Sequence, residues 1–188
     1  TSSFMRAPNE QLLLYKINTE RDPEAYTALY DWYVKHIYRF ILFKVSHRED
    51  AEDLTAGVFL KVWKHLLESE KPVRNFRAFI YQLARTTVID FYRSRGTQEA
   101  LFFSGETEEL HAPSLDPLKQ LVAGEGVKEL LNALSALNDT YREALILRHI
   151  DGLSTGEVAQ VLQKSPIATR VLIHRAMQAL KKEMEKTL

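Results

Sequence analysis

From residue 10 to residue 95 the chain carries a single glycine, Gly57, and its apolar side chains recur every three or four residues. That period buries one face of a helix and does not fit a strand, whose period is two. Tyr26, Leu29, Tyr33, Ile37, Phe40 and Ile41 make one such stripe. Asp22-Pro23 marks its start: Asp22 can accept from the first unpaired amides, and Pro23 presets the first helical position. A second helix is expected from about residue 49 to 67, with Ala51, Leu54, Val58 and Val62 on its apolar face and Phe59 and Trp63 beside them. Pro72 lies in the connection to a third, from about 76 to 93.

The character changes at residue 96. Gly96, Gly105, Pro113, Pro117 and Gly124 punctuate a polar stretch, and residues 99–125 hold six carboxylates against Lys119, a net of −5. This composition reads as a flexible acidic linker. Helical pattern returns at residue 126, with Val127, Leu130, Leu131, Leu134 and Leu137. Asn138 or Asp139 can cap the next helix, which runs to about Ile150, and Asp151-Gly152 reads as a turn. No strand alternation and no internal repeat interrupts the pattern. The expected architecture is all-α: two small helical domains, residues 10–95 and 126–188, joined by a linker over 96–125.

Composition narrows the function classes. A chain of 188 residues that is 45% hydrophobic suits two small domains with real cores. It has no cysteine, which excludes disulfides, thiolate zinc sites and cysteine nucleophiles and fits a reducing, cytoplasmic setting. No run of eighteen apolar residues occurs, so no membrane insertion of its own is expected. The opening TSSFMRAPNE lacks the basic and apolar regions of a secretory signal. His36, His47, His65, His111, His149 and His174 do not group with carboxylates at metal spacing, and no phosphate loop or nucleophile motif is present. The reading is therefore no enzyme, no catalytic residue, no metal and no cofactor. Formal net charge is zero, but it is unevenly spread. Residues 76–95 carry a net +3 and residues 164–188 a net +4, on either side of the acidic stretch. Such asymmetry points to contact with a polyanion.

The most informative segment is 153–182, LSTGEVAQVLQKSPIATRVLIHRAMQALKK. Ser154 and Glu157 have the spacing of a capping box. Ser165 can cap a second helix that has Pro166 at its first position. Val158, Ala159 and Leu162 point inward from the first helix, and Thr169, Ile173, Ala176 and Leu180 from the second. This is a helix-turn-helix pattern, in which the second helix enters the DNA major groove. The outward face of that helix carries Ile167, Ala168, Val171, His174, Arg175 and Gln178, with Arg170 at its edge.

The segment resembles the promoter-reading domain of extracytoplasmic-function (ECF) sigma factors of bacterial RNA polymerase. That family's pattern matches Leu137, Tyr141, Arg142, Glu143, Leu145, Leu147 and Arg148, then Gly152-Leu153-Ser154, Glu157-Val158-Ala159 and His174-Arg175-Ala176. DAEDLTAGVFLKVW at 50–63 is similar to the family's polymerase-clamp helix. FRAFIYQLARTTVIDFYRSR at 76–95 is similar to the helix that engages the upstream promoter element near the start site. The matches fall in family order and cover nearly the whole chain from Asp22 onward.

The resemblance implies an alternative sigma factor. Its partners would be core RNA polymerase, double-stranded promoter DNA with its melted single strand, and an anti-sigma factor. Asp50, Asp53, Leu54, Phe59 and Trp63 would bind polymerase. Lys71, Arg74, Asn75, Phe76 and Arg77 would capture unstacked bases, with Arg85, Thr86, Arg93 and Arg95 following along the helix. Ser165, Ile167, Ala168, Arg170, Val171, His174 and Arg175 would read the minus-thirty-five element. The acidic linker would run through the polymerase toward the RNA path. Five positions depart from the family: Ala56-Gly57 stands for Gln-Glu, Gln163 for the turn glycine, Thr86 for Asn and Leu172 for Arg. Ala56-Gly57 keeps a second expectation alive, a degenerate sigma-like module that titrates regulators without initiating transcription.

Overall fold

Asp22 accepts from the amides of Glu24 and Ala25 and opens a twenty-residue helix, as its place before Pro23 predicts. The computed structural model describes residues 7–45, 47–69, 71–95 and 124–186; the expected linker falls at 96–123, outside them. The described residues are helical, with no strand among them. In chain order the helices are α1 (Glu10–Glu20), α2 (Pro23–Leu42), α3 (Arg48–Glu68), α4 (Phe76–Ser94), α5 (Glu125–Ser135), α6 (Asp139–Leu145), α7 (Thr155–Leu162) and α8 (Pro166–Glu185). A wide π-turn, Ile146–Ile150, follows α6 directly.

Helices α1–α4 enclose one core. Leu29, Ile37, Phe40 and Ile41 of α2 are buried with Val58 and Val62 of α3 and with Ile80, Tyr81 and Val88 of α4. Phe40 meets Tyr81 and Tyr33 meets Phe76 edge-on, each with ring centroids 5.3 Å apart, the geometry that the ring quadrupole favours. The expected α2 stripe is therefore the core stripe, with Tyr26 half-buried at its rim.

The same buried cluster continues through the C-terminal helices with Leu131, Leu134, Leu145, Leu147, Leu153, Val158, Val161, Ala176 and Leu180. Arg142 is 1% exposed, and its guanidinium donates to the carbonyls of Leu134 and Leu137, both at 3.1 Å. It thus satisfies acceptors that the end of α5 leaves open. Asn138, not Asp139, caps α6, accepting from the Tyr141 amide.

The π-turn matters for the rest of the molecule. The amide of Asp151 reaches back to the Ile146 carbonyl and that of Leu153 to the Leu147 carbonyl, both at 2.8 Å. One extra residue per turn there carries Asp151 away from solvent, where it is 1% exposed.

Candidate nucleic-acid interface

The helix-turn-helix forms from the caps that the sequence announces. Ser154 and Glu157 make the reciprocal capping box. Ser165 accepts from the Ala168 amide at 3.2 Å and opens α8, with Pro166 at its first position. Between them Gln163 turns the chain in the left-handed conformation, φ 54. Thr169 and Ala176 are wholly buried against α6 and α7, Leu180 is nearly so, and Ile173 is half-buried.

That orientation leaves the opposite face of α8 open. Ile167 is 74% and Val171 45% exposed. Ser165, Ala168, Arg170, His174, Arg175 and Gln178 are exposed with them. Ile167, Ala168 and Val171 make an aliphatic strip little more than one turn long, flanked by cations, a face that suits the major groove.

The N-terminal candidates scatter more widely. Lys71 and Arg74 are exposed in the loop before α4. Asn75 is half-buried and caps α4, accepting from Ala78 at 3.2 Å. Phe76, 1% exposed, is a core ring and offers no face to a base. Arg77 is buried and donates to the Asp151 carbonyl. Arg85 reaches Glu143 at 3.2 Å. Thr86 is exposed, its hydroxyl donating back to the carbonyls of Leu83 and Gln82. Arg93 is exposed. Arg95 lies over the Phe91 ring, 4.1 Å from its centroid, and pairs with Asp50 at 3.0 Å.

On α3, Asp53 is exposed and Leu54 and Trp63 are half-buried. Trp63 packs on Tyr26 at 4.6 Å between centroids. Phe59 is 4% exposed, edge-on to Tyr30, so its ring belongs to the core and not to the outer face. Position 59 lies one residue after Val58 on the buried side, which spacing alone did not resolve.

Two features escaped the sequence reading. A cleft of about 350 Å³ opens beside the loop before α4, lined by Lys61, Lys64, His65, Glu68 and Ser69. His65 stacks near Phe79, with ring centroids 4.7 Å apart. The clustered cations of 61–65 were its only signal. The second is a seam of charge between the N- and C-terminal helices. Lys44 lies 2.9 Å from Glu143 and 3.5 Å from Asp139, and Arg39 pairs with Asp151. Burial raises the Glu143 carboxyl, but Lys44 and Arg85 together outweigh it and leave it below its ordinary range. Asp139 is raised, because burial there exceeds what Lys44 returns.

Residues 25–98 match the family model for sigma-70 region 2, and residues 128–180 match that for sigma-70 region 4. The ECF RNA polymerase sigma factor SigX of Bacillus subtilis is 30% identical over 167 residues, covering 86% of this chain and 84% of SigX. This chain belongs to the ECF sigma factor family. The ECF factor BldN of Streptomyces coelicolor is likewise 30% identical, over 159 residues; the match covers 85% of this chain and 60% of BldN. Among solved structures, CnrH in complex with the cytosolic domain of CnrY superposes with a TM-score of 0.71 at 20% identity, over 95% of this chain and 99% of that one. RpoE from Bartonella quintana, in complex with the anti-sigma factor NepR, gives 0.62 at 20%, over 83% and 94%. These two likenesses show the shared fold. ECF sigma factors are DNA-binding factors of transcription initiation. No described helix is long and apolar enough to cross a membrane.

Proposed function

We propose that this chain is an alternative sigma factor that works in the cytoplasm, brings core RNA polymerase to a promoter and performs no covalent chemistry. The observation that carries this is the outward face of α8, held open by buried Thr169 and Ala176, in a chain whose other half is a region 2 fold. We propose residues 10–95 as the polymerase-binding and minus-ten domain, 96–125 as linker and 126–188 as the minus-thirty-five domain.

In this reading α3 meets the polymerase clamp through Asp50, Asp53 and Leu54, with the edge of Trp63. An acidic and apolar surface suits a basic helical target. Lys71 and Arg74, with the neighbouring cleft of Lys61, Lys64 and His65, receive unstacked bases of the melted strand. Extruding a base costs a few kcal/mol, which stacking and cationic contacts must offset. Arg93 and Arg95 follow the backbone, and α8 reads the upstream duplex. An anti-sigma factor is the proposed regulator; CnrH and RpoE were each solved with such a cytosolic or anti-sigma partner.

Transcription by purified core polymerase tests this. Adding the chain and sequencing the transcripts should give starts at a small set of promoters sharing two spaced elements. Polymerase binding without any promoter-dependent start would favour the regulator-titrating module instead.

A further inference from the structure

Arg95 caps the C-terminal end of α4 with its guanidinium laid over the Phe91 ring one turn earlier, 4.1 Å from the centroid. Both of its terminal nitrogens face Asp50, which lies 45 residues earlier in the sequence. Nη2 is 3.0 Å from Oδ1 and Nη1 is 3.5 Å from Oδ2. Phe91 in turn meets Tyr92 edge-on at 5.2 Å between centroids. Tyr92 is buried, and its hydroxyl donates to the Lys44 carbonyl at 2.8 Å. A row of packed, directed groups thus runs from the core out to the Asp50 carboxylate. Asp50 is in the first turn of α3. Asp53 and Leu54 follow it three and four positions on, so the three share one flank of the helix.

The pair does little for stability. The Arg95 side chain is 54% exposed, and an ion pair so open to water gains little once the ordering of two side chains is set against it. What it does supply is direction. A planar guanidinium forked on a carboxylate and stacked on a ring is fixed in both plane and axis, which a lysine ammonium cannot reproduce. The Asp50 side chain is correspondingly held, with 19% exposure. The fork takes one acceptor site on each oxygen and leaves others for a partner. A carboxylate already settled in one rotamer loses less freedom when it docks.

We propose that Arg95 is a positioning residue for polymerase binding: from the end of α4 it fixes Asp50 of α3 in the orientation that meets the clamp. This rests on the reading of Asp50 as a polymerase contact. The outer edge of Arg95 stays open to a phosphate, so one cation serves both helices. Charge alone predicts the reverse effect on polymerase. Removing a cation from beside Asp50 leaves the face more acidic, and a basic target would then be drawn more strongly. The sign of the change therefore separates orientation from net charge.

Titration of the full chain against purified core polymerase tests it. Arg95→Ala should weaken binding about fivefold, and Arg95→Lys nearly as much, because it keeps the charge and loses the fork. Arg93 is exposed on the same helix, and Arg93→Ala should leave polymerase affinity within about twofold. Asp50→Ala should weaken binding by about fivefold or more, and adding Arg95→Ala to it should cost no further affinity. Melting temperature and helicity should match the parent in each variant, which separates lost binding from lost fold. Phe91→Leu keeps both charges and removes the ring; it serves should Arg95→Ala fail to fold, and should weaken binding about twofold. Unchanged or tighter polymerase binding by Arg95→Ala, with Asp50→Ala impaired, overturns the proposal. Full rescue by Arg95→Lys, or an equal loss in Arg93→Ala, overturns it as well, because bulk charge would then suffice. Asp50→Ala that binds as tightly as the parent removes the reading of Asp50, and the proposal with it.

Discussion

Arg39 of α2 and Asp151 of the π-turn form an ion pair across 112 residues of sequence, and burial nevertheless pushes the Asp151 carboxyl up to about 6. Arg39, Tyr81 and Arg77 pull it down, with His36 standing behind Arg39 on α2. They do not fully offset the loss of water around a carboxylate that is 1% exposed. A folded value raised above the ordinary 3.8 means that folding takes up a proton. The stability this contributes is complete below about pH 4 and is lost as pH rises through about 6. His36 is lowered by burial and then by Arg39 and Arg77, so it acts in the opposite direction near its ordinary value. The difference between the parent and Asp151→Asn isolates Asp151. The variant should gain on the parent by about 2–3 kcal/mol between pH 4 and 7. Parallel denaturation curves across that range would refute the buried, raised carboxyl.

Gly57 sits inside α3, and a Cβ built on it meets nothing within 4 Å. Its cost is therefore conformational, and Gly57→Ala should stabilise the chain by roughly 1 kcal/mol, read as a raised unfolding midpoint. Gly57→Glu adds an i,i+4 partner for Lys61 and restores the acidic group that family resemblance places there. Titration against core polymerase should show tighter binding by Gly57→Glu than by Gly57→Ala. Equal affinities would place Gly57 away from the clamp.

Local chemistry was legible in the sequence and long-range chemistry was not. Asp22, Ser154 with Glu157, and Ser165 with Pro166 each act on amides within three residues, so their spacing stated their geometry. Buried Thr169 and Ala176 followed from period alone. Phe59 and Phe76 were read as outward anchors because an aromatic suits a core and an interface equally, and one residue of helical phase decides between them. The contacts made by Arg77, read as capturing unstacked bases, and by Arg85, read as following along the helix, were hidden for a related reason. Their partners, Asp151 and Glu143, come 74 and 58 residues later, and no periodicity connects the two domains.

Gln163 holds φ 54 at the helix-turn-helix corner, where a side chain crowds its own backbone. Gln163→Gly removes that strain of about 1–2 kcal/mol and gives back part of it as unfolded-state freedom. A net gain of roughly 0.5–1 kcal/mol is expected, with promoter affinity unchanged because Gln163 lies before the reading helix. A lower melting temperature would mean that its side chain holds the corner in a way the backbone does not show.

The reading face of α8 makes the sharpest claim about DNA. Ile167 and Val171 have no side-chain donors, so they can discriminate only by packing on thymine methyl groups, while Arg175 can make bidentate contact with guanine. Arg175→Ala should weaken promoter binding by about 1–3 kcal/mol and relax preference at one base pair, more than Gln178→Ala does. Arg170, on the edge of the face, suits a phosphate. Arg170→Ala should lower affinity evenly across sequences and reduce the salt slope by about one. Substituting Ile167 and Val171 together by Ser separates groove contact from packing. At 74% and 45% exposure neither side chain supports the core, so the melting temperature should hold within a few degrees while the preferred promoter sequence changes. A steep fall in melting temperature would instead put both residues inside the fold and rotate the DNA-reading face of α8 toward Leu172 and Met177.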